Sequence, residues 1–253
     1  KLFQQSVLTL LGLRAGEVLL SYARARARTR NVFIASALLV VASSARADVV
    51  CATYKTVCAS GCDYNGASAI QDAVDAIPAT DLAGNWCIDI TDNGTYTSQV
   101  TVQNKSPNGY QIYIGTTTGA SRPTITPPAA STAAFLIVNA SVSIQGVDAV
   151  VDQSVPYGVW ASSAYVHISS VNVSTSGSSG IYTAGVRISS WSAISYSSVT
   201  VWGAHGIWLD KSSMTTVSYS TAVNNSATSR AVYLETGKNN SFTVIFASNS
   251  HAS

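Results

Sequence analysis

The sequence contains little charge. Its 253 residues include 14 basic and 12 acidic side chains, so 10% are charged, whereas soluble domains usually carry about a quarter. From Asp48 onward there are seven basic and eleven acidic side chains, a net charge of −4. This part of the chain has no basic patch of the kind that nucleic-acid binding requires, so we expect no nucleic-acid partner.

Long apolar runs are also missing. Residues 32–42 form an apolar run of 11 residues, which is too short to span a bilayer comfortably. Residues 43–47 follow it and end in Ala-x-Ala. A basic cluster precedes the run: Arg24, Arg26, Arg28 and Arg30. This arrangement predicts a secretory signal peptide cleaved after Ala47, with a buried helix or an N-terminal anchor as the alternative.

The signal peptide sets the expected location of the protein. We interpret residues 1–47 as an N-terminal extension and signal peptide, and we exclude them from the fold argument. We expect contact with a membrane only through this segment. The mature protein is then predicted to be secreted or held at the cell surface.

Cysteine is limited to one short part of the chain. The four residues are Cys51, Cys58, Cys62 and Cys87. An even number just beyond a signal peptide favours two disulfides, and three connectivities remain open. The spacing of Cys58 and Cys62 would also suit half of a zinc site. A matching second pair is missing, so we expect disulfides and no metal at these cysteines.

One segment has the periodicity of a helix. Ile70 and Val74 share one helical face within residues 68–77, Ser68 can act as the N-cap, and Pro78 ends the segment. These features predict a short helix. Residues 48–85 are therefore expected to be a disulfide-containing segment with a capping helix.

Beyond Trp86 the chain consists of short β-branched runs that repeat. The repeats are 21–27 residues apart and align as Ala134-Phe135-Leu136, Gly158-Val159-Trp160, Gly185-Val186-Arg187, Gly206-Ile207-Trp208 and Ala231-Val232-Tyr233. Such a repeat predicts an all-β solenoid, a parallel β-helix over residues 86–253. A β-sandwich is the alternative, but the Asn-Gly turns that would favour it end before Ala130. Strand-like sequence continues to the end, so we expect further coils beyond residue 253.

Two segments carry a family resemblance. Residues 68–78 (SAIQDAVDAIP) resemble the N-terminal segment of pectin methylesterases and related pectate-lyase-like proteins. Residues 92–96 (DNGTY), followed by residues 99–102 (QVTV), are similar to that family's Gly-x-Tyr turn into the first coil. The resemblance implies a right-handed parallel β-helix, a capping helix and a carbohydrate ligand.

The catalytic segments of these families are not found. The Gln-Ala-Val-Ala-Leu and Asp-Phe-Ile-Phe-Gly segments of pectin methylesterases are absent. Ala204-His205-Gly206 is similar to the Gly-His-Gly of polygalacturonases, but the other polygalacturonase segments are missing. The resemblance therefore implies no catalytic role for His205.

Side-chain alternation sorts the repeats into columns, because successive residues of a strand point to opposite faces. The predicted inward column is Phe135, Val159, Val186, Ile207 and Val232. The first outward column is Leu136, Trp160, Arg187, Trp208 and Tyr233. The second outward column is Val138, Ser162, Ser189, Asp210 and Glu235. Adjacent coils lie about 4.8 Å apart, so each column is a ladder.

The outward columns provide the candidate site. The predicted substrate-binding residues are Trp160, Arg187, Trp208 and Tyr233, because aromatic rings pack on sugars and arginine pairs with carboxylates. The ladder could instead simply cover the sheet. Asp210 and Glu235 would lie roughly 5 Å apart, as in retaining glycosidases, and are the predicted catalytic pair. The alternatives are two solvated charges or a Ca²⁺ site, the one cofactor considered.

Two functions compete. The first is an exported protein that binds an extended, acidic polysaccharide. The second is a carbohydrate-active enzyme of the pectate-lyase-like class, a lyase, hydrolase or esterase. The missing active-site segments favour binding. An ice-binding face is less favoured, because the Thr-x-Thr segments at Thr95, Thr116 and Thr124 do not recur at the coil period.

Overall fold

The described part of the chain is a parallel β-solenoid. The computed structural model describes residues 49–79, 82–105, 108–116, 122–176, 183–189 and 191–249. These residues form about six turns with a single helix, as the repeats predict. No helix within these ranges is long and apolar enough to cross a membrane. The predicted signal peptide lies outside the described residues.

Most turns contribute one strand to each of three faces. Face 1 comprises β1 (Cys51–Cys58), β3 (Asn85–Ile90), β6 (Ile112–Gly115), β9 (Ser141–Gln145), β12 (Tyr165–Ser169), β15 (Ser192–Ser195) and the first part of β18 (Thr216–Asn225). Face 2 comprises β4 (Thr95–Tyr96), β7 (Thr124–Ile125), β10 (Asp148–Val151), β13 (Asn172–Thr175), β16 (Ser198–Trp202) and the second part of β18. Face 3 comprises β5 (Val100–Gln103), β8 (Ala133–Val138), β11 (Tyr157–Ser162), β14 (Ala184–Ile188), β17 (His205–Asp210) and β19 (Val232–Glu235).

Every strand pairs in parallel with its counterpart on the next turn. Faces 1 and 2 form one 14-stranded sheet because β18 continues through both, and face 3 is a separate six-stranded sheet. Strand β2 (Tyr64–Asn65) pairs with β1, and β20 (Ser241–Asn249) pairs along β18. The solenoid starts earlier than the expected Trp86, since β1 is already paired with β3. The cysteines at both ends of β1 concealed a strand within the disulfide segment.

The predicted inward column is confirmed by the register of face 3. Val159 lies opposite Phe135 and Val186, and Ile207 lies opposite Val186 and Val232. All are buried except Val232 on the last turn, which is half-buried. A continuous apolar column therefore runs through the turns, and its burial is the main favourable term in folding.

A column of small residues precedes this inward column. A Cβ atom on Gly158 would lie 2.2 Å from Val173 Cγ1, and one on Gly206 would lie 2.4 Å from the Ala231 carbonyl oxygen. Faces 2 and 3 approach each other closely here, and larger side chains do not fit. The small first residue of each repeat is thus a packing requirement.

The corner between faces 1 and 2 uses one left-handed residue per turn. The residues are Gly146, Ser170, Tyr196, Tyr219 and Val244, with φ between 47° and 67°. The corner between faces 3 and 1 uses Asn104, Asn139, Ser163, Lys211 and Thr236, with φ between 33° and 53°. Left-handed single residues bend the chain sharply without interrupting the strands.

The third corner, between faces 2 and 3, varies in length. It spans residues 152–156 on one turn, 203–204 on another and 226–231 on the next. By contrast, two residues join β9 to β10, β12 to β13 and β15 to β16. The uneven repeat of 21–27 residues therefore arises largely at the third corner.

Face 2 corrects one expectation about threonines. Thr95 lies opposite Thr124, so two Thr-x-Thr segments do fall on successive turns. Their separation of 29 residues hid this from a search at the repeat length. Asp148 and Asn172 continue the column, so the threonine rank ends after two turns.

Helix α1 (Ala69–Asp75) covers the N-terminal part of the core. Ile70 and Val74 are fully buried. Ser68 precedes the helix, as predicted, but its hydroxyl donates to Asp72 rather than accepting a backbone N–H. The Gln71 side chain accepts the Thr101 N–H at 2.6 Å, which ties the helix to β5.

The Gly-x-Tyr turn is a buried hydrogen-bonded network. The Tyr96 hydroxyl donates to Asp92 at 2.7 Å, and the Ala59 N–H donates to the same carboxylate at 2.7 Å. Burial and Asp92 raise the pKa of Tyr96. Burial opposes ionisation of Asp92, but hydrogen bonds from Tyr96 and backbone N–H groups outweigh it and lower the pKa of Asp92. The turn is thus structural in this chain.

Two disulfides are present, as predicted. Cys51 pairs with Cys87 across β1 and β3, and Cys58 pairs with Cys62 in the turn after β1. None of the four cysteines is free. The zinc alternative at Cys58 and Cys62 is therefore wrong, because these two sulfurs bond to each other.

The two disulfides should differ in their effect on stability. Cys51–Cys87 closes a loop with a sequence separation of 36 and Cys58–Cys62 one of 4. Loop-closure entropy then assigns about 4 kcal/mol to the first and about 2 kcal/mol to the second. We expect Cys51→Ser/Cys87→Ser to lower the free energy of unfolding in urea by more than Cys58→Ser/Cys62→Ser. Equal losses would contradict the loop argument.

The small column should not tolerate a methyl group. Gly206→Ala places a Cβ atom against the backbone of the neighbouring turn, which cannot move without shifting β19. We expect it to lower the free energy of unfolding by about 1–3 kcal/mol. The control is Ser162→Ala on the outer side of the same face, with a change within about 0.5 kcal/mol. Similar values for the two variants would show that the close approach is absent.

Candidate functional site

The outer side of face 3 carries the predicted site residues in register. Trp160 lies opposite Leu136 and Arg187, Arg187 opposite Trp208, and Trp208 opposite Tyr233. We call Trp160, Arg187, Trp208 and Tyr233 the aromatic strip. All four side chains are half-buried. The strip crosses four successive turns, as the sequence predicts.

Arg187 is the centre of this strip. Its Nε and Nη2 donate to one oxygen of Asp210, at 3.1 and 2.5 Å. Its Nη1 donates to the Tyr157 hydroxyl at 2.9 Å. The guanidinium carbon lies 4.4 Å from the ring centroid of Trp208 and 5.4 Å from that of Trp160. Arg187 is therefore held between two indole rings and anchored by two hydrogen-bond partners.

These contacts change what Arg187 can do. Burial opposes its charge, but hydrogen bonds from its guanidinium to Asp210 and Tyr157 raise the pKa of Arg187 above its usual value. The charge is permanent and is matched by Asp210. Because Arg187 lies over both indole rings, the strip presents mainly ring edges to solvent. The buried N–H groups of Trp160 and Trp208 have no hydrogen-bond acceptor among the described residues.

A further outward column flanks the strip, and the sequence analysis missed it. Tyr157 lies opposite Ala184, and Ala184 lies opposite His205. The Arg230 backbone N–H donates to His205 Nδ1 at 3.0 Å, which brings Arg230 into the same column. A signal was available. Each of these residues precedes its strip residue by three positions, as in Tyr157 and Trp160.

The Tyr233 end of the strip carries a second cation. The guanidinium of Arg230 lies 4.8 Å from the Tyr233 ring centroid, and the His205 ring stacks on Tyr233 at 4.6 Å. Arg230 is exposed. Its side chain forms no ion pair among the described residues, where the pairs are Arg122–Asp148 and Arg187–Asp210. This end therefore has an uncompensated positive charge.

His205 is neutral near pH 7. Its Nδ1 accepts a hydrogen bond from the Arg230 backbone, so the proton resides on Nε2. Burial and the nearby charge of Arg230 lower the pKa of His205, although that hydrogen bond opposes the change. The imidazole thus offers one N–H donor beside Tyr233.

The predicted carboxylate pair is adjacent in register but unequal in environment. Asp210 lies opposite Glu235. Asp210 is 8% exposed and binds Arg187, with Ser189 Oγ also at 3.4 Å. No three His, Cys, Asp or Glu side chains in the described ranges group as metal ligands. A Ca²⁺ ion at this pair would take its remaining ligands from backbone carbonyls or water.

The pairing of Arg187 with Asp210 should be measurable as stability. Asp210→Ala leaves a half-buried guanidinium without its acceptor, and we expect a loss of about 1.5–3 kcal/mol in the free energy of unfolding. Glu235→Ala, the next carboxylate in the column, should change it by less than about 0.5 kcal/mol. Near-UV circular dichroism of Asp210→Ala should also change, because Trp160 and Trp208 lose their spacer. Equal stability of both variants would rule out the anchoring role.

Comparison with known proteins yields no named relative. The chain matches no family model, no curated protein and no solved structure. What the structure shares with the pectate-lyase-like resemblance is the parallel β-solenoid. A fold of this kind does not determine a function, so function is argued from the side chains of face 3.

Proposed function

We propose that face 3 binds an extended polysaccharide outside the cell or at its surface. The observation that carries this proposal is the aromatic strip, which crosses four turns in one register. Three gaps of about 4.8 Å give a length of roughly 14 Å, enough for about three sugar rings. The two disulfides are compatible with an extracellular protein.

The strip is preorganised for such a ligand. Arg187 fixes the distance between Trp160 and Trp208, while Asp210 and Tyr157 fix Arg187. A surface that is already ordered loses little conformational entropy when a ligand binds. A flexible glycan pays most of that entropy itself, so a rigid partner favours binding.

The same site supports a preference for acidic sugars, through Arg230 rather than Arg187. The charge of Arg187 is matched by Asp210. Arg230 is exposed, lies over Tyr233 and has no carboxylate partner among the described residues. Arginine pairs with a carboxylate in a bidentate manner. The neutral His205 beside Tyr233 adds an N–H donor for a sugar oxygen.

The alternative is a carbohydrate-active enzyme of the pectate-lyase-like class. It would use Asp210 and Glu235 as the catalytic pair. Asp210 is already bound by Arg187, and this favours a structural role for its carboxylate. Glu235 would then act alone, whereas glycoside hydrolysis by a retaining mechanism requires two carboxyl groups. Binding is therefore the better-supported function.

The test is binding to polygalacturonate, with dextran as the neutral comparison. We expect Arg230→Gln to weaken binding to polygalacturonate selectively, and more strongly at low salt, where charges are less screened. Lys238→Gln removes one exposed charge at the far end of β19 and is the control. Tyr233→Ala should weaken binding by about 1 kcal/mol or more. Affinities are measured by calorimetry at two salt concentrations.

The outcomes separate the proposal from its alternatives. Polygalacturonate binding that is indifferent to both Arg230 and Tyr233 would exclude face 3 as the site. Release of unsaturated or reducing ends from polygalacturonate, abolished by Glu235→Gln, would establish the enzyme instead. The Glu235 variant keeps Arg187 and Asp210 intact, so it leaves the strip folded.

A further inference from the structure

A groove lies at the corner between faces 3 and 1, away from the Tyr233 end of the strip. Its volume is about 560 Å³. The lining is formed by turn and strand-start residues of three successive turns, including Tyr110, Gln111, Asn139, Ser141 and Tyr165. Pockets that bind small ligands are concave and carry a few placed polar groups. This groove has that form, whereas the strip is an open face.

The register explains why the groove exists. Tyr165 lies opposite Ser141, and Val142 lies opposite Ile112. The residue before Ile112 is Gln111, so Ser141 lies between Gln111 and Tyr165 on the middle turn. Ser141 is small, and the turns on either side carry larger side chains. The gap between the two walls is therefore two turn spacings, about 10 Å.

Each wall carries an exposed tyrosine. Tyr110 is 41% exposed and Tyr165 is 45% exposed. Carbon atoms in contact lie about 3.5–4.0 Å apart. A flat ring with a tyrosine on either side needs about 7–8 Å between the walls, so the gap accommodates one ring.

The wall that bears Tyr110 is held in place. The Gln111 N–H donates to Asn85 Oδ1 at 3.0 Å, and the Gln111 carbonyl accepts the Trp86 N–H at 3.1 Å. At the corner end, Asn139 is in the left-handed conformation with φ of 50°. Its amide nitrogen donates to Asn104 Oδ1 at 3.2 Å, and this orients its own Oδ1 as an acceptor.

The polar groups decide which kind of ring fits. Amides and hydroxyls of Gln111, Asn139 and Ser141 line the groove. The one charged side chain in the lining is Lys105, and its ammonium donates to the Ile77 carbonyl oxygen. Amide and hydroxyl groups both donate to and accept from sugar hydroxyls. The lining therefore suits a neutral, polyhydroxylated ring.

We propose that this groove is a subsite for one neutral sugar ring, held between Tyr110 and Tyr165. The inference rests on the proposed function, because it takes a glycan to be the ligand. It adds a second recognition point with a different preference. The strip selects acidic sugars at Arg230, and the groove selects an uncharged ring.

The test uses neutral tetrasaccharides, namely cellotetraose, maltotetraose and a galactotetraose, titrated by calorimetry and by NMR. We expect Tyr165→Ala and Tyr110→Ala each to lower the affinity of the bound tetrasaccharide about fivefold or more. Tyr165→Phe should retain most of it, since the ring remains. Tyr196→Ala removes an equally exposed tyrosine at another corner and is the control. Thermal unfolding of each variant shows that it is folded.

The results distinguish this inference from the proposed function. Tetrasaccharide binding that survives both tyrosine variants, or no binding by any of the three sugars, overturns the groove. Competition by adenosine but by none of the sugars would identify an aromatic-ring pocket and also overturns it. If polygalacturonate binding depends on Arg230 in either case, the strip stands without the groove. If the tetrasaccharide binds through Tyr165 while polygalacturonate does not bind, the groove stands without the strip.

Discussion

The structure depends on one constraint, the burial of each turn's inner side chains against the turns on either side. A single turn is too narrow to shield its own apolar residues, so only stacking in register completes the core. Phe135, Val159 and Ile207 show the result, since each is buried by its neighbours in the column. The small residues at Gly158 and Gly206 follow from the same constraint, because two faces must approach closely around a thin interior.

The register that forms the core also aligns the outer side chains. Trp160, Arg187 and Trp208 meet because Val159, Val186 and Ile207 stack beneath them. An arginine between two indoles is favourable only if its charge is compensated, because the rings exclude water from one side of it. Asp210 and Tyr157 supply that compensation, and in doing so they make the surface rigid.

Strand alternation was enough to predict the inward column, both outward columns and the cap, because these depend on backbone periodicity alone. The pairing of Arg187 with Asp210 could not be predicted this way. It is a diagonal contact between neighbouring columns, and it depends on side-chain directions that a repeat alignment does not contain. The groove was missed for a related reason. The wall at Tyr110 is formed by a turn outside the regular repeats, and only the register shows that Ser141 leaves a gap beside it.

The corners differ in a way that bears on how such a protein can diversify. The two corners built on left-handed residues tolerate little change, because one residue sets the bend. The corner between faces 2 and 3 already ranges from residues 203–204 to 226–231. His205 and Arg230 lie at its exit. Insertions there would alter the flank of the strip and leave the stacked core intact, so this corner is the natural place for evolution, or for loop grafting, to create new specificities.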